Sequence, residues 1–228
     1  MHIAARTRML AHVYVEGPTW IGEANEFYPY SSIGVASQDL KYQGERAETR
    51  IGNRNRIREF VTIHRGTRGG GALTSIADDA LIMAYAHVAH DCHVGSHAIL
   101  ANGVTLGGHV TIGEHAVVGA FSGVHQFCRV GLHAMVAGYS VITRDVLPYS
   151  MTGVDREARL FGENKVGLER RGFAAETIVK LHKAFRLLRS PRLNTAQALE
   201  KIAAEVESCR EVDELVRFIQ SSERGVVK

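Results

Sequence analysis

Proline and cysteine are scarce, at 4 and 3 of 228 residues, while glycine stands at 23. Three widely spaced cysteines make neither a disulfide framework nor a zinc motif. Tryptophan occurs once and aromatics reach only 7%, so no large aromatic core organises the chain. No apolar run approaches the roughly 18 residues of a membrane span; Ala80 to Ala86 stops at His87. The opening MHIAARTRML lacks the apolar stretch of a signal peptide, and a cytoplasmic location is expected. Charge of neither sign dominates: 27 Lys and Arg against 24 Asp and Glu leave +3, too little to argue for nucleic acid. An apolar fraction of 45% excludes disorder, and the length suffices for a core without disulfides or a structural metal.

What the chain has is a period of six. Stepping from Ile76 by six gives Ile82, Val88, Val94, Leu100, Leu106, Ile112, Val118, Val124, Val130, Val136 and Ile142, all aliphatic. At this composition the chance of twelve in a row is about one in ten thousand. Four positions further on, every residue from Ala80 to Val146 is small or β-branched. Gly often follows the aliphatic residue. Six is not close to a multiple of 3.6, so helix is disfavoured. A large and a small residue in alternation suit a narrow solenoid of short parallel strands, with Gly relieving the backbone where the chain turns. Three hexads make a coil of 18 residues, about 4.8 Å from the next.

The ladder extends back to Ile3 with two interruptions, roughly Gly34 to Arg50 and His64 to Ser75, expected as loops. After about Gly162 the period is gone. Ala174 to Arg189 reads as an amphipathic helix with Ile178, Leu181, Ala184, Phe185 and Leu188 on one face. A second helix, capped by Asn194 or Thr195, runs to about Val206, and a third covers Val212 to Gln220. The expected organisation is a parallel β-helix over 1–161, with loops near 34–50 and 64–75, and a helical domain over 162–228.

Counting hexads modulo three puts those at Val88, Leu106 and Val124 on one face. His90, Gly108 and Gln126 are then stacked, with His109 and His125 beside them. If the loops simply interrupt the ladder, both leave from that same face. Asp91 adjoins His90, and a carboxylate near an imidazole suits a general base near neutral pH. His87, His90 and His93 form an H-x-x-H-x-x-H run, but His87 and His93 fall on different faces, which argues against a metal site. Cys92 and Cys128 occupy the small corner position and read as packing residues. The stretch Lys41 to Arg68 is the most basic, either a solvated edge or a surface for an anionic partner.

Hexapeptide ladders of this kind resemble the left-handed parallel β-helix of the acyltransferase superfamily, typically trimers with active sites between subunits. The handedness comes from the resemblance, since strand crossovers otherwise favour the right hand. The runs IGVASQDLKYQGE (from Ile33), IGNRNRIREFVTIHRGT (from Ile51), AHVAHDCHVG (from Ala86), GVHQFC (from Gly123) and GLERRGF (from Gly167) are more specific. They resemble the acyl-[acyl-carrier-protein]–UDP-N-acetylglucosamine O-acyltransferases, which begin lipid A synthesis. That resemblance implies a homotrimer moving a 3-hydroxyacyl chain from acyl carrier protein to the 3-position of UDP-N-acetylglucosamine, with no cofactor or metal. It implies His90 as general base, Asp91 as its partner and the Gly108 N–H as oxyanion donor. It places His87, His109, His125 and Gln126 along the site. Gln38, Asp39, Lys41, His64, Asn164, Arg170 and Arg171 match positions contacting the UDP-sugar, and Gly138 with Met135 the place where chain length is measured. The sequence departs from the family at Val166, where a Glu is usual, and in the extra charge of GVDREARL (from Gly153). A sister enzyme acylating another acceptor, such as a sugar amine, and a catalytically silent trimeric scaffold are the alternatives.

Overall fold

The computed structural model describes residues 1–153 and 157–228; Val154, Asp155 and Arg156 of the charged GVDREARL segment lie outside them. The first two thirds of the chain is a left-handed parallel β-helix whose hexads each supply one short strand. Strand partners lie 18 residues apart, as in Ile76 with Val94, Ile82 with Leu100 and Val88 with Leu106. Three parallel sheets result. The first runs from His2–Ile3 to Arg129–Val130, the second from Arg8–Met9 through Met135–Val136, and the third from Tyr14–Val15 to Val141–Ile142. All twelve aliphatic rungs from Ile76 to Ile142 are buried, and so is every small corner residue from Ala80 to Val146. Where the small position holds Asn25 and Asn55, both buried, the amides bind backbone: Asn25 Nδ2 donates to the Gly22 and Gly52 carbonyls, and Asn55 Oδ1 accepts from Ala80 N–H.

Glycine serves a different purpose from the one the sequence suggests. Gly95, Gly107, Gly113, Gly119 and Gly131 do not have positive φ. They are small because neighbouring coils approach closely: a Cβ on Gly95 would lie 2.7 Å from Glu114 N, and one on Gly107 2.8 Å from Gln126 N. The left-handed turn falls two residues later, on His97, His109, His115, Phe121 and His133, with φ between 54° and 62°. That conformation costs a non-glycine residue roughly 1–2 kcal/mol. Stacking between coils offsets it, as in His97 on His115 at 4.6 Å and His109 on Phe127 at 4.3 Å between ring centroids.

The two interruptions are tighter than expected. Ile33 pairs with Ile63, 30 residues on, and Ile63 with Val88, 25 on, so twelve and seven residues are looped out of a regular coil. Strands Ser32–Val35 and Glu48–Ile51 bracket the first loop, Thr62–His64 and Leu73–Ile76 the second. Both leave the third sheet, the face that carries Val88, Leu106 and Val124.

Beyond Val146 the second sheet gains Ser150–Thr152 and an antiparallel strand, Leu160–Glu163, which lies across position 161/162. Four helices follow: α1 (Lys165–Arg170), α2 (Ala175–Leu188), α3 (Thr195–Glu205) and α4 (Arg210–Gln220). The last three match the expected helices, with Asn194 capping α3 through a reciprocal bond with Gln197. The five residues assigned to the inner face of α2 are all buried. One apolar cluster continues from the solenoid into Leu168, Leu181 and Leu215. No helix among the described residues is long and apolar enough to cross a membrane.

Candidate active site

The edge between the third and first sheets gathers the central residues. His90 follows the strand His87–Val88 and precedes the corner residue Asp91, whose φ is +57°. Its Nδ1 lies 2.8 Å from Asp91 Oδ2. Asp91 is 2% exposed and is held on every side: Thr67 N–H and Oγ1 donate to its carboxylate at 2.9 and 2.6 Å, while its own N–H donates to Thr74 Oγ1 at 2.8 Å. A carboxylate held this way keeps Nδ1 as the protonated nitrogen and leaves Nε2 of His90 free to accept a proton. Thr67 belongs to the second loop, where no periodicity marks it in the sequence.

Gly108 lies one coil along the axis, and a Cβ built on it would sit 2.6 Å from His90 Nε2. The stacking inferred from the eighteen-residue count is therefore direct contact. Among the described residues the Gly108 N–H meets no acceptor. An N–H left unpaired at a buried residue is rare and offers a donor beside the imidazole. His109 meets His90 edge to face at 5.0 Å, and its Nε2 lies 4.0 Å from Asp91 Oδ2. Ligand atoms of His90, Asp91 and His109 lie within 4.8 Å of one another, but the donors on Asp91 use its oxygens as hydrogen-bond acceptors, which fits an acid–base pair better than a metal set. His87 and His93 lie on the third and first sheets, so the H-x-x-H-x-x-H run does not converge.

Both loops wall a cavity of about 660 Å³ lined by Asp39, Lys41, Tyr42, Thr67, Arg68 and His109 among others. Asp39 Oδ2 reaches to 4.0 Å from His90 Nε2. Gly66 N–H donates to the Glu48 carbonyl, tying the loops together. The basic stretch divides. Arg50, Arg54, Arg58 and Arg65 pair with Glu48, Asp79, Glu59 and Glu16. Lys41 and Arg46 make no ion pair among the described residues, Arg68 meets Glu45 through its backbone N–H at 3.3 Å, and Lys41 and Arg68 face the cavity. Gln38 is exposed at the base of the first loop.

His64 and His87 stand next to His90 on the third sheet, ring to ring at 4.8 Å, with Thr62 Oγ1 2.7 Å from His87 Nδ1. Burial, then the neighbouring imidazoles, pushes His64 down to about 4; burial also lowers His87 and His109. These rings are neutral at pH 7 and act as hydrogen-bonding or packing groups. An unfolded His titrates near 6.5, so between about 6.5 and 4 the unfolded chain binds protons that His64 refuses. Stability should fall as pH falls through that window. Urea midpoints measured from pH 7 to 4 should drop less steeply for His64→Gln than for the wild type; equal slopes would contradict a neutral His64.

The remaining expected residues lie elsewhere on one chain. Asn164 caps α1, accepting from Gly167 N–H and donating to the His133 carbonyl at 2.9 Å. Arg171 donates to the His115 carbonyl at 3.2 Å, and Arg170 and Val166 are exposed. These sit at the edge between the first and second sheets. Met135 faces outward on the second sheet, and Gly138 stands at the edge between the second and third. His125 and Gln126 occupy the coil beyond Gly107 and Gly108. Cys92 is fully buried and its thiol is pushed up to about 12 by burial, which suits packing rather than nucleophilic chemistry.

Known proteins resemble the chain in sequence and in fold. A family model described as bacterial transferase hexapeptide (six repeats) matches residues 74–108, and one described as UDP N-acetylglucosamine O-acyltransferase, domain 2, matches 145–227. The acyl-[acyl-carrier-protein]–UDP-N-acetylglucosamine O-acyltransferase of Xylella fastidiosa is 43% identical over 204 residues, 90% of this chain and 78% of that protein. The solved LpxA of Acinetobacter baumannii aligns at TM-score 0.95 and 43% identity, covering 99% of this chain and 88% of that one. LpxA of Bacteroides fragilis aligns at 0.96 and 36%, with the same coverages. A likeness of this extent, spanning solenoid and helices alike, makes the chain a member of the acyl-[acyl-carrier-protein]–UDP-N-acetylglucosamine O-acyltransferase family.

Proposed function

We propose that the protein transfers a 3-hydroxyacyl chain from acyl carrier protein to the 3-hydroxyl of UDP-N-acetylglucosamine, the first step of lipid A biosynthesis. The observation carrying the mechanism is the contact between Gly108 and His90 Nε2, with Nδ1 anchored on Asp91. His90 Nε2 takes the hydroxyl proton as the sugar oxygen attacks the thioester carbonyl carbon. The Gly108 N–H donates to the oxyanion that forms. Collapse breaks the carbon–sulfur bond, and the imidazolium returns its proton to the leaving thiolate. Every atom and proton is accounted for without a metal or cofactor. Lys41 and Arg68, both lining the cavity, supply cationic charge for an anionic nucleotide.

A homotrimer completes the site in this reading. The edge between the second and third sheets carries exposed Tyr30, Phe60, Tyr85, Phe121 and Tyr139, from 42% to 71% accessible. The second sheet turns Leu81, Ile99, Val117 and Met135 outward. Apolar surface on this scale favours association. With that edge on a three-fold axis, the third sheet of one subunit packs against the second sheet of the next. His90 then forms one lip of a cleft, and the partner subunit's Asn164, the partner subunit's Arg170 and the partner subunit's Arg171 form the other. An acyl chain entering past Gly108 runs inward along the partner subunit's Met135 toward the partner subunit's Gly138, where the missing side chain leaves room for it.

The test is acyl transfer by the purified full chain. Acyl carrier protein loaded with 3-hydroxyacyl chains should give ester product with UDP-N-acetylglucosamine and little with acetyl-CoA as donor. Product only with a 3-amino sugar would assign the N-acylating alternative, and no product together with no thermal shift by nucleotide sugar would assign the silent scaffold.

A further inference from the structure

The last seven residues form a strap across the solenoid. Asp145, 1% exposed, donates its N–H to the Gly225 carbonyl and accepts from Val227 N–H, while Ser222 Oγ donates to its carboxylate at 2.9 Å. Arg129 donates to the same carboxylate and to the Phe218 carbonyl, with its guanidinium over the Phe218 ring at 4.3 Å. Val226 and Val227 are buried. The strap carries Arg224 to residues 81 and 99 positions away: its Nε donates to the Thr143 carbonyl, and its Nη2 lies 3.2 Å from His125 Nδ1.

This contact has a chemical consequence for His125. A guanidinium has donors only, so it is compatible with Nδ1 as an acceptor and Nε2 as the protonated nitrogen. The same Nδ1 lies 3.1 Å from the Gln126 carbonyl, which would require the opposite tautomer. The two contacts ask opposite tautomers of one atom. We infer that Arg224 is a positioning residue of the active site: delivered by the C-terminal strap, it holds His125 with Nε2–H as a donor for a carbonyl oxygen of the pantetheine-linked acyl donor. The placement of His125 supports this, in the coil adjoining Gly107 and Gly108, with Gly107 N–H donating to the Val124 carbonyl at 2.9 Å. The substrate assignment rests on the function proposed above; the tautomer does not.

The experiment uses the full-length protein labelled with nitrogen-15 at histidine. In the wild type the His125 ring should show an unprotonated Nδ1 and a protonated Nε2. In Arg224→Ala the Gln126 carbonyl should claim Nδ1–H and reverse the assignment, with Arg224→Lys restoring it in part. Kinetically, Arg224→Ala should raise KM for acyl donor about tenfold, the worth of one hydrogen bond, with KM for UDP-N-acetylglucosamine unchanged. Arg224→Ala added to His125→Ala should cost nothing more. Ser222→Ala, which loosens the strap alone, should lower Tm and leave the tautomer as it was. The inference falls if the ring assignment is the same with and without Arg224, if the two substitutions add, or if Ser222→Ala reproduces the kinetic defect. Absence of acyl transfer in the wild type would instead overturn the proposed function, leaving the tautomer to be read on its own.

Discussion

His90→Ala should lower kcat about 100- to 10,000-fold, the usual worth of a positioned general base. Asp91 would keep its Thr67 and Thr74 partners, so the fold should persist and the loss should appear as chemistry. Single-turnover transfer with pre-bound acyl donor isolates that step, and Tm reports the fold. KM for the nucleotide sugar should change little if the cavity between the loops does the binding. Equal single-turnover rates for His90→Ala and wild type would remove His90 from the mechanism and leave Asp39 or His109 as candidates for the proton acceptor.

Gly108→Ala tests the other half of the site by steric means. The added methyl would stand 2.5 Å from His90 Cε1 and 2.6 Å from Nε2, well inside van der Waals contact. Relief requires the ring to swing. Because Nδ1 is held at 2.8 Å by Asp91, the swing breaks that bond or moves Nε2 off the line of attack. A loss of about 100- to 1,000-fold in kcat is expected, similar to removing an oxyanion donor, although the backbone N–H itself is retained. Gly108 does not have positive φ, so the backbone accepts alanine and Tm should hold. In a His90→Ala background the same substitution should do much less harm, since the clash is gone; an undiminished penalty there would show that the backbone N–H, rather than the imidazole, is what the methyl disturbs.

Much of this is written in the chain. Twelve aliphatic rungs at strict spacing dictate the solenoid, because each rung has a single interior to fill. The arithmetic of 18 then places Gly108 beside His90 with no structural input. Other parts resist reading. The purpose of Gly107 and Gly113 is coil-to-coil approach, a distance that no local pattern encodes. Thr67, which fastens Asp91, lies inside a break in the period, where neighbours in sequence give no register. The Arg224–His125 contact spans 99 residues and depends on how the helical region folds back. Asn164 and Arg171 sit at a different edge from His90, so no count along one chain brings them together with it.

Asp91 occupies two roles at once, and this narrows what can replace it. Its left-handed φ admits few side chains comfortably, aspartate and asparagine being among them. The acid that steadies the imidazole is thus also a residue the turn prefers. A change to asparagine would suit the corner but set an amide donor against the Thr67 donors that both carboxylate oxygens now accept. Change to glutamate would keep the charge but strain the corner. Drift at this position therefore disturbs two things together, the orientation of the His90 ring and the fastening of the second loop at Thr67.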